Sequence, residues 1–237
     1  MRLPAEPAKE AMVVWAATML ALAVAQVLGY ALPFVQPVAG ALAVAAFLWV
    51  PGRVMEQRQQ DPEEAGLHQR TLARDLAWGL GACLVVLPLF TLAWLQFVNV
   101  LPHLPQDLRA MLAPYAVSPH ALRWPHLDSD TWGRIAGNGA VALSEEFFYR
   151  GYMTLRFEER WPPQFSLWGA KFGKGAVYAA IVFAVGHLLI PAPWRLAVFF
   201  PALLFAWLRA RTGSIVGAAV CHWICNVYLL LLERASF

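Results

Sequence analysis

The sequence predicts an all-α fold, a polytopic bundle of about seven transmembrane helices. Three observations carry that reading. Of the 237 residues, 59% are hydrophobic and only 14% charged, and the mean hydropathy is +0.52, a balance outside that of soluble globular domains. The apolar residues fall into runs about as long as a bilayer crossing, roughly 20 residues. The formal charge of +3 is scattered over the intervening loops, so the chain has no basic patch for nucleic acid and its large partner is the lipid bilayer.

The first apolar run covers 11–35 and the second 37–54, joined through Pro33 and Pro37 as a helical hairpin. Before the first run the only basic residues are Arg2 and Lys9, and no small-residue cleavage site follows, which reads as an uncleaved anchor. From Gly52 to Asp75 the composition turns to Arg, Gln, Glu and Asp, an aqueous loop. A third span covers 76–98. The segment 99–131 is rich in proline and holds His103, His120 and His126 without ligand-like spacing, so these read as surface or interfacial residues, in a segment long enough to cover a site. Further spans are expected at 132–156, 170–190, 194–209 and 213–232. Residues 1–131 carry no signature, and 132–237 form the candidate catalytic core. Cys83, Cys221 and Cys225 lie in apolar segments, make no C-x-x-C pair and read as small core residues.

Seven spans put the termini on opposite sides of the membrane. One side collects 12 Lys and Arg and the other 5, with Arg150 inside the bilayer, so the N-terminus is expected in the cytoplasm.

The fourth span contains Ser144-Glu145-Glu146-Phe147-Phe148-Tyr149-Arg150-Gly151. A charged side chain near the bilayer centre costs about 2.5 to 3.5 kcal/mol on insertion scales, and three occur here within six residues. Glu146 and Arg150, at i and i+4, meet on one helix face, whereas Glu145 is turned roughly 100° away. One carboxylate is thus neutralised and the other is left over. The plainer alternative is an ion-pair network that only locks helices together. The fifth span places His187 deep in an apolar helix, one turn after Phe183. The seventh sets His222 and Asn226 at i and i+4 near mid-span. Each taken alone suits interhelical hydrogen bonding, but polar groups on three spans at similar depth are economically placed in one cavity, since each otherwise faces lipid.

These residues carry a resemblance. Glu145-Glu146-x-x-x-Arg150-Gly151, Phe183-x-x-x-His187, and Gly213-Ser214-Ile215 leading to His222-x-x-x-Asn226 resemble, in order and spacing, the three motifs of the CPBP (ABI) intramembrane proteases, the family of the CAAX prenyl endopeptidases. The resemblance covers about 135–232. It implies a glutamic-type peptidase without a cofactor. Glu145 would be the base that activates water and His187 would help to hold that water. His222 and Asn226 would stabilise the oxyanion, with Glu146 and Arg150 in support. Such chemistry needs a base, a positioned water and donors aimed at the developing charge.

Two other readings stay open. Glu145, His187 and His222 are enough to hold zinc with a water in the fourth position, although no H-E-x-x-H is present. A transporter or non-catalytic scaffold would use the buried groups as a proton relay, although the halves show no inverted repeat. The expected substrate is a membrane-anchored protein or peptide. The Ala-, Leu-, Trp-, Pro- and Arg-rich composition and short loops point to a bacterial inner membrane; for a bacterial chain the family resemblance implies processing of C-terminal sorting signals rather than of prenylated proteins, by a sorting protease resembling the myxosortase type.

Overall fold

The computed structural model describes residues 3–32, 36–112, 115, 119 and 122–237. Nine α-helices are present among them: α1 (Pro7–Ala31), α2 (Gln36–Gln57), α3 (Leu72–Val100), α4 (Gln106–Met111), α5 (Ser129–Glu146), α6 (Thr154–Arg160), α7 (Lys174–Gly186), α8 (Phe199–Thr212) and α9 (Val216–Ser236). A π-helical segment, Phe147–Met153, joins α5 to α6 in one run. Two short strands, β1 (Phe165–Leu167) and β2 (Ala170–Phe172), pair antiparallel.

Four stretches are long and apolar enough to cross a membrane: Pro7–Ala31, Val38–Gln57, Leu72–His103 and Val216–Ser236. They match the first three and the last of the spans read from the sequence. The stretches read as intermediate spans are helical but miss this standard. The 129–160 run carries Glu145, Glu146 and Arg150, Lys174–Leu189 is shorter, and α8 has 14 residues with Arg209 and Arg211 in its last turn. Two of their boundaries also move. The fifth span begins at Lys174, because 165–172 fold as a hairpin whose turn residues Trp168 and Gly169 have φ of 49° and 80°. Positive φ at both central positions is the requirement of the tight hairpin turn, usually announced by Asn-Gly and here met by Trp-Gly. The helix of the sixth span begins at Phe199, after a 3₁₀ stretch over Pro193–Val198.

The motif run is the centre of the bundle, with every residue from Phe147 to Met153 buried. Around it pack the α1–α2 hairpin, α7 and α8, while α9 lies between α3 and α5. The contact of α3 with α9 is made through glycine. A Cβ on Gly79 would stand 2.5 Å from the Gly217 carbonyl oxygen, and one on Gly217 would stand 2.5 Å from that of Asp75. Backbones approach this closely only through small residues. Gly217→Ala should therefore push α9 from α3 and lower the thermal midpoint in detergent; an unchanged midpoint would show the contact to be loose.

The loop between α2 and α3 is more than an aqueous connection. Its Ala65 is fully buried, with its carbonyl oxygen 3.0 Å from where a Cβ of Gly151 would lie, and the Gly66 carbonyl accepts from the Ile215 N–H at 3.0 Å. The φ of Gly66, +85°, lets the chain turn there. The loop thus wedges the motif run against the entry of α9.

The described part of 99–131 sits at the C-terminal end of α9. The Tyr115 hydroxyl donates to Glu233, and Arg234 pairs with Asp130 at 2.8 Å and Asp128 at 3.6 Å. Asp128 caps α5: its carboxylate accepts from the Thr131 hydroxyl and N–H, which holds it below the usual carboxylate range. His103 and His126 are exposed, as expected of surface residues, whereas Pro114 and His120 lie outside the described residues. Asp128 and Asp130 lie 15 to 17 residues before Glu145 in the sequence, about 24 Å along α5, so these contacts are made far from the motif carboxylates.

Candidate active site

Glu146 is the fixed point of the site. Its side chain is wholly buried, and its Oε1 accepts from Arg150 Nη1 at 2.9 Å and contacts His222 Nδ1 at 2.8 Å. The pairing read from the i and i+4 spacing is thus present, in a π-helical run rather than a plain α-helix. π-turns recur at functional sites because the extra residue per turn re-aims side chains. Here the Thr154 hydroxyl supports the widened turn by donating to the Tyr149 carbonyl at 2.8 Å. The Arg150 guanidinium, 1% exposed, lies over the Phe183 ring at 4.2 Å and the Phe205 ring at 5.3 Å. Two aromatic faces and a carboxylate thus replace the water that a cation would otherwise hold.

Glu145 occupies the neighbouring direction and is the less buried of the two carboxylates, at 15% exposure. Among the described residues it makes no hydrogen bond; its Oε2 stands 3.7 Å from His222 Nε2. His222 therefore lies between the two carboxylates. Its ring stacks on Phe205, with centroids 4.7 Å apart and planes 19° apart, and meets the Phe183 ring edge-on at 6.0 Å.

His187 closes α7. Its Nδ1 lies 2.9 Å from the Phe183 carbonyl oxygen, its ring packs against the Phe183 ring at 4.5 Å, and it is within electrostatic reach of Glu145 and His222. Arg195 Nε donates to the His187 carbonyl at 3.2 Å and so holds the turn after the helix. Phe183 touches Arg150, His187 and His222 at once, which explains the aromatic one turn before the histidine. Glu145, Glu146, Arg150, His187 and His222 are thus brought together. Asn226 follows one turn later on α9, half-buried and with no hydrogen bond among the described residues.

One addition to the sequence reading concerns His222. The spacing placed it with Asn226 on one helix face, and the family resemblance implied that both act as donors toward developing charge; the fold adds that its Nδ1 is engaged by Glu146. Only Nε2 is left for a reactant. Sequence alone could not choose, because the partner comes from a helix 76 residues earlier.

Other residues around the site carried no readable signal. The buried Tyr149 hydroxyl accepts from Trp15 Nε1 at 3.2 Å and packs over Gly186, where a Cβ would stand 2.9 Å from it. Glu10, wholly buried, forms ion pairs with Arg156 at 3.0 Å and with Arg58, and accepts from the Tyr152 hydroxyl at 3.3 Å. These contacts fasten α1 to the motif run. Glu10 stands immediately before the first apolar run, outside every span read from the sequence.

Comparison with known proteins adds one finding. Residues 129–228 match the family model described as type II CAAX prenyl endopeptidase Rce1-like. Neither curated proteins nor solved structures gave a match. The matched range holds all six residues of the site and ends two residues after Asn226. The chain is an integral membrane protein of apolar helices that carries, over residues 129–228, the Rce1-like domain of the CPBP family of membrane CAAX-type proteases.

Proposed function

We propose that this protein is a glutamic-type intramembrane endopeptidase that hydrolyses a peptide bond in a membrane-anchored protein. One observation supports this most: Glu145 stands 3.7 Å from the His222 imidazole, within electrostatic reach of His187 and with no hydrogen-bonding partner among the described residues, while Glu146 is paired with Arg150. A structural ion-pair network would be expected to use both carboxylates. Glu145 is the base that takes a proton from water, and His187 holds that water through Nε2, because its Nδ1 is engaged by the Phe183 carbonyl. With Nδ1 engaged by Glu146, His222 presents Nε2 to the oxyanion, and Asn226 supplies the second donor.

Seven crossings, with α5–α6, α7 and α8 completing the count, and a cytoplasmic N-terminus in a bacterial inner membrane complete this reading. The substrate we favour is a protein with a C-terminal membrane-anchored sorting segment. The test is mass spectrometry of such an anchored substrate co-expressed with the wild-type chain or with Glu145→Gln. A product made only by the wild type supports the proposal, and an uncut substrate with both overturns it for that substrate class.

Asn226→Ala should lower turnover by about 10² to 10³ while leaving the protein folded, the usual loss for one oxyanion donor. Unchanged turnover would remove Asn226 from the reaction.

A zinc mechanism keeps one specific observation in its favour. Both histidines engage Nδ1 with an oxygen, Phe183 carbonyl or Glu146 carboxylate, which is the manner in which metal-ligating imidazoles are oriented with Nε2 free. Purified protein should keep full activity after exhaustive chelation if Glu145 works alone; loss restored by added Zn²⁺ would establish the metal route.

A further inference from the structure

The three cysteines, separate in sequence, are adjacent in space. Cys83 comes from α3, and Cys221 and Cys225 stand one turn apart on α9. Their sulfurs all lie within 4.8 Å of one another, with Cys83 and Cys221 at 3.5 Å. All three are free thiols; Cys83 and Cys221 are buried and Cys225 is partly so. The surrounding wall is apolar, including Phe205, Leu208 and Ala218.

Sulfurs bound at about 2.3 Å in a plane around one ion stand about 4 Å apart, so this triangle needs only small adjustments to enclose a cation. Among the described residues no His, Asp or Glu joins the group. Zn²⁺ in a structural site closes with four ligands, whereas soft sulfur donors select Cu(I). The apolar wall favours a neutral assembly. A monovalent cation meets that condition with one thiolate and two thiols, releasing one proton on binding and changing no oxidation state.

We propose that Cys83, Cys221 and Cys225 form a three-sulfur binding site for Cu(I) that bridges α3 and α9. The site is separate from the peptidase reading and does not depend on it, but it acts on the same helix. Cys221 and Cys225 directly precede His222 and Asn226, and Phe205 belongs to the cysteine cluster while stacking on His222. A bound ion would pin the wall behind the imidazole.

The test is titration of the purified, reduced chain in detergent, without oxygen, with Cu(I) in competition with the chromophoric chelator bathocuproine disulfonate. The wild type should withhold one equivalent. X-ray absorption should show a shell of three sulfurs, and the thermal midpoint should rise with loading, because an ion that binds only the folded state stabilises it. Cys83→Ser and Cys221→Ser should withhold none, and His187→Ala/His222→Ala should still withhold one equivalent. Failure of the wild type to compete, nitrogen in the shell, or equal retention by the triple serine variant would each overturn the site. So would a Cys83–Cys221 disulfide formed without retained copper. The first two readings use only wild-type protein, so a misfolded variant cannot leave the question open.

Discussion

Glu145→Gln should abolish cleavage while leaving the protein folded. The amide keeps the size of the side chain but cannot accept a proton from water, and loss of a positioned general base costs about 10² to 10⁴ in rate. Folding should survive because Glu145 makes no hydrogen bond among the described residues and only a 3.7 Å contact with His222. Glu145→Asp should be intermediate. It withdraws the carboxylate by about one bond length, and a misplacement near 1 Å costs about 10²-fold. Single-turnover cleavage of a purified anchored substrate measures both. A Gln variant that cuts nearly as fast as the wild type would show that Glu145 is not the base. A variant with a depressed thermal midpoint would show instead that the carboxylate is structural.

What could be read from the sequence follows a physical division. Charge inside an apolar run is visible locally, so Glu145, Glu146 and Arg150 stood out, and their helical spacing correctly paired Glu146 with Arg150. His187, His222 and Asn226 stood out for the same reason. Partner choice across helices is not local. Nothing in the chain announced that His222 would turn Nδ1 to Glu146, or that Cys83 would meet Cys221 across 138 residues. The π-turn was equally hidden, because Phe147-Phe148-Tyr149 packs apolar surface whatever the helical period.

Arg150→Ala should be the most destabilising single change at the site. The guanidinium is 1% exposed and ion-paired to a wholly buried carboxylate, and removing one partner of such a pair costs about 3 to 5 kcal/mol because the other charge is stranded. The loss should appear as a lower thermal midpoint and less folded protein in detergent extracts. The double variant Arg150→Ala/Glu146→Ala separates the two functions of the pair. With both charges gone nothing is stranded, so much of the stability should return. Activity should not, because His222 then has no acceptor at Nδ1 to fix its ring and aim Nε2 at the reacting carbonyl. A double variant as unstable as the single one would mean that the cost comes from the cavity left between Phe183 and Phe205 rather than from the charge. A double variant that is both stable and active would show that Glu146 and Arg150 hold the helices together and leave the chemistry to Glu145 and the two imidazoles.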